Sequence, residues 1–254
     1  MNGRQPRLFV TDLDDTVLGG TRIYRRLSDS LCGFLDDLAA NGCQWLMLTA
    51  WRAKHQLDLV LNSPVKSRPA LVIDQLGRNA YRMVQDRLEP MAAYNDAMQQ
   101  SMQACHRDGL IPFLRLALER WTPVDLYDDG GWLSFSVPQE EAQALHAMVE
   151  ACRDMPLNFV FERENAVVAL PNCLGKGLAM RFVQQELGVS GDKMAAAGDH
   201  ALDIPMLRMV RWPLCPENAA EAVRDEVRRL GGYVGRGMYA EGVMEAFRRI
   251  GAGE

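Results

Sequence analysis

Apolar residues along the chain fall into short runs that stop abruptly, separated by stretches where they recur every three or four positions. Leu8-Phe9-Val10 ends in Thr11 and Asp12, Trp45-Leu46-Met47-Leu48 ends at Thr49, and Ala70-Leu71-Val72-Ile73 forms a third run. Each has the length of a buried strand. A link, Val17 to Leu27, follows the first run. Ser28 then stands as an N-cap before Leu31, Phe34, Leu35 and Leu38, and Gly42 closes that helix. Leu57, Val60 and Leu61 mark one face of a second helix, and Pro64 and Pro69 bracket the loop after it. Strand, helix, strand, helix, strand predicts a parallel sheet with crossover helices. Ligands of such sheets gather beyond the carboxyl ends of the strands.

The pattern changes after Tyr81. Helical spacing covers Met91–Arg107 and Gln139–Cys152, with strand-like pieces at Val124–Tyr127, Trp132–Val137, Phe159–Glu162 and Ala166–Leu170. The turn sequence Asp128-Asp129-Gly130-Gly131 suits a hairpin. These features predict an inserted α+β domain with an antiparallel sheet. The parallel pattern then resumes with a helix from Lys176 to Leu187, a small-residue strand at Met194-Ala195-Ala196-Ala197, a helix opening at Ile204-Pro205, a strand at Trp212-Pro213-Leu214-Cys215, and amphipathic helices at Ala219–Leu230 and Gly242–Ile250. The fold class expected is α/β, a doubly wound parallel-sheet core at 1–80 and 168–254 with an α+β domain at 81–167. Its connections are expected near Gly77-Arg78-Asn79 and Pro171-Asn172, the arrangement of a hinged lid.

The net charge of −5 argues against non-specific nucleic-acid binding, which needs a basic face. An anionic substrate must therefore be attracted locally, by a metal or a few Lys and Arg. The six cysteines are scattered, with no Cys-x-x-Cys pair, which suits a reducing compartment and no structural zinc. Met1 to Arg7 lacks the apolar core of a signal peptide, and no apolar run reaches about 18 residues. The expected location is the cytoplasm, with no membrane partner.

Chemistry concentrates at the ends of the predicted strands. Asp12 and Asp14 are two apart, so on an extended backbone they leave the same face. Carboxylates held that close repel unless a cation lies between them. An acidic turn after a strand is the plain alternative. A calcium loop would need Gly at Val17 and Glu at Ile23. Thr49, Lys176, Asp199 and Asp203 also fall at or beside strand ends. Taken singly, Thr49 and Asp199 read as helix caps and Lys176 as a solvated helix residue. Together, four carboxylates, one hydroxyl and one ammonium call for a divalent cation, and all-oxygen ligation suits Mg²⁺. Two other phosphate motifs fail. Leu170 stands where a P-loop needs its first Gly, and Ala240 where a dinucleotide fingerprint needs its third.

Asp12-Leu13-Asp14-Asp15-Thr16, then Thr49, then Lys176 in Leu174-Gly175-Lys176-Gly177, then Gly198-Asp199-His200-Ala201-Leu202-Asp203 resemble the motifs of the haloacid dehalogenase superfamily of phosphohydrolases. The insert between Thr49 and Lys176 resembles the type C2 cap of its Cof-type and sucrose-phosphatase-like members. The resemblance implies a Mg²⁺-dependent phosphatase acting on a small phosphorylated metabolite, a sugar phosphate above all. Asp12 would be the nucleophile that forms an aspartyl-phosphate, and Asp14 the general acid and base. Thr49 would hold a phosphoryl oxygen, Lys176 would neutralise charge, and Arg52 would join Thr49 and Lys176 in binding substrate. Asp12, Asp14, Asp199 and Asp203 would form the metal site. Two departures stand out: Thr49-Ala50-Trp51-Arg52 replaces a usual Thr-Gly-Arg, and Leu202 replaces an Asn. A phosphomutase and a catalytically silent phosphometabolite-binding protein are the rival readings. In the cap, Trp121, Tyr127, Trp132 and Arg163 are candidates for contact with the leaving group, although aromatic residues there also suit a core.

Overall fold

The computed structural model describes residues 5–19 and 26–252. Residues 20–25 of the expected link, and Met1–Arg4 of the segment compared with a signal peptide, lie outside the described residues. The chain divides into two compact units, one built from the chain up to Met91 and from Lys176 onward, the other from Ala92–Gly175.

The first unit opens with β1 (Leu8–Thr11), α1 (Asp29–Ala40), β2 (Gln44–Leu48), α2 (Ala53–Leu61) and β3 (Val72–Asp74), followed by β4 (Asn79–Val84) and β5 (Arg87–Pro90). Ser28 caps α1 as expected: its hydroxyl accepts from the Leu31 N–H at 3.3 Å. Gly42, at φ +80°, takes the left-handed turn behind the helix. The second unit holds α3 (Ala92–Cys105), α4 (Ile111–Arg120), β6 (Asp125–Asp128), β7 (Leu133–Ser136), α5 (Ala142–Ala151), β8 (Leu157–Arg163) and β9 (Ala166–Pro171). The first unit then resumes with α6 (Lys176–Leu187), β10 (Met194–Ala197), α7 (Ile204–Leu207), β11 (Trp212–Cys215), α8 (Glu221–Arg229), β12 (Tyr233–Val234) and α9 (Tyr239–Ala252).

Eight strands of the first unit form one sheet in the order β12-β11-β10-β1-β2-β3-β4-β5. The pairings from β12 through β3 are parallel, and β4 and β5 join antiparallel. β1 is central, with all four residues buried, and its residues 8–11 pair with 194–197 on one side and 44–47 on the other. This register brings the carboxyl ends of β1 and β10 level. Phe9 packs edge-to-face on Phe34 of α1 and Phe247 of α9, with centroids 5.8 and 5.5 Å away. That cluster pins the central strand both to α1, the next helix in sequence, and to α9, at the far end of the chain.

The second unit has a four-stranded antiparallel sheet, β6-β7-β9-β8, and its own core around Phe113, Phe135, Leu145 and Val167. The expected hairpin turn is present, with Asp128 and Asp129 side chains accepting from the Gly130 and Gly131 N–H groups. Both unit boundaries shift from those read in the sequence. The segment 81–91 belongs to the first unit because β4 and β5 extend its sheet. The segment 168–175 belongs to the second because β9 pairs on both sides with that unit's own strands. The connections therefore lie at Met91–Ala92 and Gly175–Lys176, and Gly77-Arg78-Asn79 sits at the β3–β4 turn. The helix expected over 91–107 stops short of α4, which follows Gly109 and carries Pro112. The chain nevertheless continues from α3 into it through one wide turn, His106–Leu110, and Pro112 lies in its first turn, where no N–H is needed.

Candidate active site

Asp12 follows β1 directly, and its N–H donates to the Ala197 carbonyl at the end of β10 at 3.0 Å. Asp12 is 7% exposed. Lys176, the first residue of α6, is 4% exposed and places Nζ 2.9 Å from Asp12 Oδ1. The same ammonium pairs with Asp203, which is fully buried. The other Asp203 oxygen accepts from the Asp199 and His200 N–H groups, both at 3.0 Å. Gly198 is obligatory here, because a Cβ on it would lie 2.4 Å from the Asp203 Cβ. The Gly198–Asp203 loop is thus wound around one buried carboxylate. His200 takes part through its Nδ1, which accepts from the Leu202 N–H at 3.4 Å.

Oxygens of Asp12, Asp199 and Asp203 all lie within 4.8 Å of one another. Three carboxylates against one ammonium leave two excess negative charges when all are ionised. The electrostatics record that excess. Burial, opposed by Lys176 and reinforced by Asp203, pushes Asp12 up to about 6. Burial, opposed by the Thr16 hydroxyl and reinforced by Asp203 and Asp12, pushes Asp199 up to about 7. Burial works against the Lys176 ammonium, yet Asp12 and Asp203 beside it outweigh burial and hold it above the usual lysine value. The donor set therefore fits a divalent cation: the carboxylates resist ionising together without further positive charge.

Asp14 stands apart from this cluster. It is exposed, and burial of part of its surface raises its carboxyl, which the Trp51 hydrogen bond partly offsets. Its Oδ2 accepts from the Trp51 indole N–H at 2.6 Å. Thr49, at the end of β2, is 1% exposed, and its hydroxyl oxygen accepts from the Trp51 N–H at 3.4 Å. A hydroxyl that accepts there keeps its own proton for another partner. Arg52 is exposed at the start of α2 and makes no side-chain cap. Asp12, Lys176, Asp199 and Asp203 are thus gathered in one cluster, Asp14 and Thr49 meet on Trp51, and among the described residues no side-chain hydrogen bond or ion pair ties Arg52 to either group.

Residues that sequence reasoning passed over support the site. Thr16 is fully buried and its hydroxyl donates to Asp199 Oδ1, orienting that carboxylate. Its place in the Asp-x-Asp-x-Thr motif was the available signal. Asp74 closes β3, much as Asp12 follows β1, and it is 4% exposed. It accepts from Ala53 N at 3.2 Å and from Asn79 N and Nδ2 at 3.1 and 2.9 Å, tying α2 to the β3–β4 turn. Gln56, with nothing exposed, donates Nε2 to the carbonyls of Trp51 and Ile73. In the second unit Trp121 belongs to the core and donates to Glu141, so it is a packing residue there. Tyr127 and Arg163 are exposed, and Trp132 is half-buried with its ring 5.2 Å from that of Tyr127.

A family model described as sucrose-6F-phosphate phosphohydrolase matches residues 5–251. No curated protein matches the sequence. Among solved structures, the sucrose-phosphatase of Synechocystis sp. in complex with sucrose and phosphate is 17% identical, with 97% of this chain and 98% of that chain covered and a TM-score of 0.69. A phosphatase of the haloalkanoate dehalogenase superfamily from Bacteroides thetaiotaomicron is 15% identical, with 98% and 96% covered and a TM-score of 0.64. A haloacid dehalogenase-like hydrolase from Bacillus subtilis is 14% identical, with 98% and 93% covered and a TM-score of 0.62. At these identities the structural likeness is one of fold. Among the described residues no helix is long and apolar enough to cross a membrane.

Proposed function

The chain belongs to the sucrose-6F-phosphate phosphohydrolase family of the haloacid dehalogenase superfamily and is a phosphoric monoester hydrolase; from that premise we propose that it hydrolyses a small sugar phosphate with Mg²⁺, through a phosphorylated Asp12. The observation that carries this reading is the Lys176 ammonium held between two buried carboxylates, Asp12 and Asp203, with Asp199 beside them. A surplus of buried negative charge of this kind is unstable as a core and useful as a cation and phosphate site. The sugar in the substrate rests on the family and on the Synechocystis relative, which was solved with sucrose and phosphate.

Asp12, the Asp14 main-chain carbonyl and Asp199 would hold Mg²⁺. Asp203 stands close by, its oxygens engaged by Lys176 and the loop N–H groups. Bound there, the cation supplies charge neutralisation at the transferring phosphoryl group. An Asp12 carboxylate oxygen attacks phosphorus while the bond to the leaving oxygen breaks, and the electron pair departs with that oxygen. Asp14 supplies its proton to the leaving oxygen. Water, losing a proton to Asp14, then attacks the phosphorus, and the bond to Asp12 breaks. Lys176 holds Asp12 and offsets its charge. The buried Thr49 hydroxyl donates to a phosphoryl oxygen. These steps need positioning and charge neutralisation more than bond-making power from the protein.

Phosphate release from a panel of phosphorylated metabolites tests the reading. Turnover of one or more sugar phosphates is expected, abolished by EDTA and restored by Mg²⁺. Undiminished turnover in EDTA contradicts the metal role, and no release from any phosphomonoester contradicts the activity.

A further inference from the structure

Asp14 is exposed, and an exposed carboxylate on a short side chain samples several rotamers. A proton donor must instead present one oxygen to the leaving group. The only hydrogen bond to the Asp14 carboxylate among the described residues comes from the Trp51 indole, 2.6 Å from Oδ2. An indole N–H donates and never accepts, and it carries no charge to gain or lose. It can therefore bond Oδ2 whether Asp14 is ionised or carries its proton on Oδ1. An Arg or Lys in that place would favour the anion strongly and resist reprotonation.

Trp51 is itself held on three sides. Its carbonyl accepts from the Gln75 N–H at 3.2 Å and from Gln56 Nε2 at 3.1 Å. Its own N–H donates to Thr49 Oγ1 at 3.4 Å, and its ring packs against the core cluster of the first unit. Gln56 is fully buried and also donates to the Ile73 carbonyl at 2.9 Å, so the loop is fastened to β3.

We propose that Trp51 is a positioning residue for the reaction: its indole N–H fixes Oδ2 of Asp14, in either protonation state, and leaves Oδ1 to pass the proton to the leaving oxygen. This rests on the reading of Asp14 as general acid. The departure at Thr49-Ala50-Trp51 is then a working part of the site.

The test is the leaving-group dependence of kcat/KM, measured with Mg²⁺ on p-nitrophenyl phosphate and phenyl phosphate. The two esters differ only by a para-nitro group, but phenolate is the poorer leaving group and depends more on the acid. Trp51→Phe should raise the nitrophenyl-to-phenyl ratio of kcat/KM about tenfold, through a partial loss of general-acid assistance. Asp14→Asn should raise it further. KM for both esters should stay within about threefold of wild type, because the shift is one of proton delivery. Replacing the Trp51 indole with its benzothiophene isostere removes only the N–H, and it should reproduce the Trp51→Phe ratio even if Trp51→Phe folds poorly. An unchanged ratio in both Trp51 variants, beside a raised ratio in Asp14→Asn, overturns the positioning role alone. A rise in KM with an unchanged ratio overturns it in favour of ring contact with substrate. An unchanged ratio in Asp14→Asn itself, with wild-type turnover intact, removes the general acid and the inference with it.

Discussion

Asp12 and Lys176 carry opposite charges 2.9 Å apart, yet the Asp12 carboxyl sits at about 6. The ammonium is shared with Asp203, and burial raises the cost of every negative charge in the group. Asp199, pushed up to about 7, is subject to the same excess. The sign of its effect on stability follows. A carboxyl raised in the folded state keeps its proton where the unfolded chain has lost it, so stability falls as pH rises from about 4 to about 7. In metal-free protein, Asp199→Asn should remove part of that fall. Its melting temperature relative to wild type should therefore climb across this window, read by calorimetry. A difference between the two proteins that stays constant with pH contradicts the assignment. Added Mg²⁺ should stabilise wild type most at the upper end, because carboxylate ligands bind a cation deprotonated.

At the scale of elements, Asp74 joins three pieces: the start of α2, the end of β3 and the start of β4. Asp74→Asn keeps the shape but turns an N–H of the new amide toward the Ala53 N–H. The expected cost is about 1–3 kcal/mol, the penalty for a buried donor without its acceptor. Phosphatase turnover should also fall, since α2 anchors the loop that carries Thr49 and Trp51. An unaltered denaturation midpoint and turnover would contradict this account. Apolar runs that end in polar residues revealed β1, β2 and β3, and the motif spacing brought out Asp12, Lys176, Asp199 and Asp203, which do meet. The link from Trp51 to Asp14 spans 37 positions and depends on how the β2–α2 loop folds back, which no local pattern records. The expected boundary at residue 81 cuts β4, because β4 and β5 mix polar and apolar residues, as strands with a solvated face do, and carry no continuous apolar run. Gly109 and Pro112 carry the local signature of a helix break, whereas the chain passes Gly109 in a wide turn and seats Pro112 in the first turn of α4.

At the scale of the molecule, the eight strands of the first unit's sheet come from outside residues 92–175. The second unit has its own sheet and its own core. On the proposed function, this partition predicts a division of labour in which the first unit performs the chemistry and the second selects the sugar. Replacing residues 92–175 with a short Gly/Ser linker should preserve slow hydrolysis of p-nitrophenyl phosphate and erase the ranking among sugar phosphates. A linker variant that keeps the parental ranking would contradict the division. The central claim, transfer of the phosphoryl group to Asp12, is tested most directly by acid-quenching the enzyme during turnover with Mg²⁺ and locating phosphate by peptide mass spectrometry. The account predicts a hydroxylamine-labile phosphate on the peptide containing Asp12, absent from Asp12→Asn, whose turnover should be lower by several orders of magnitude, within the ~10⁶-fold scale of nucleophile removal. Rapid turnover by Asp12→Asn, or an acid-stable phosphate on another residue, would contradict it.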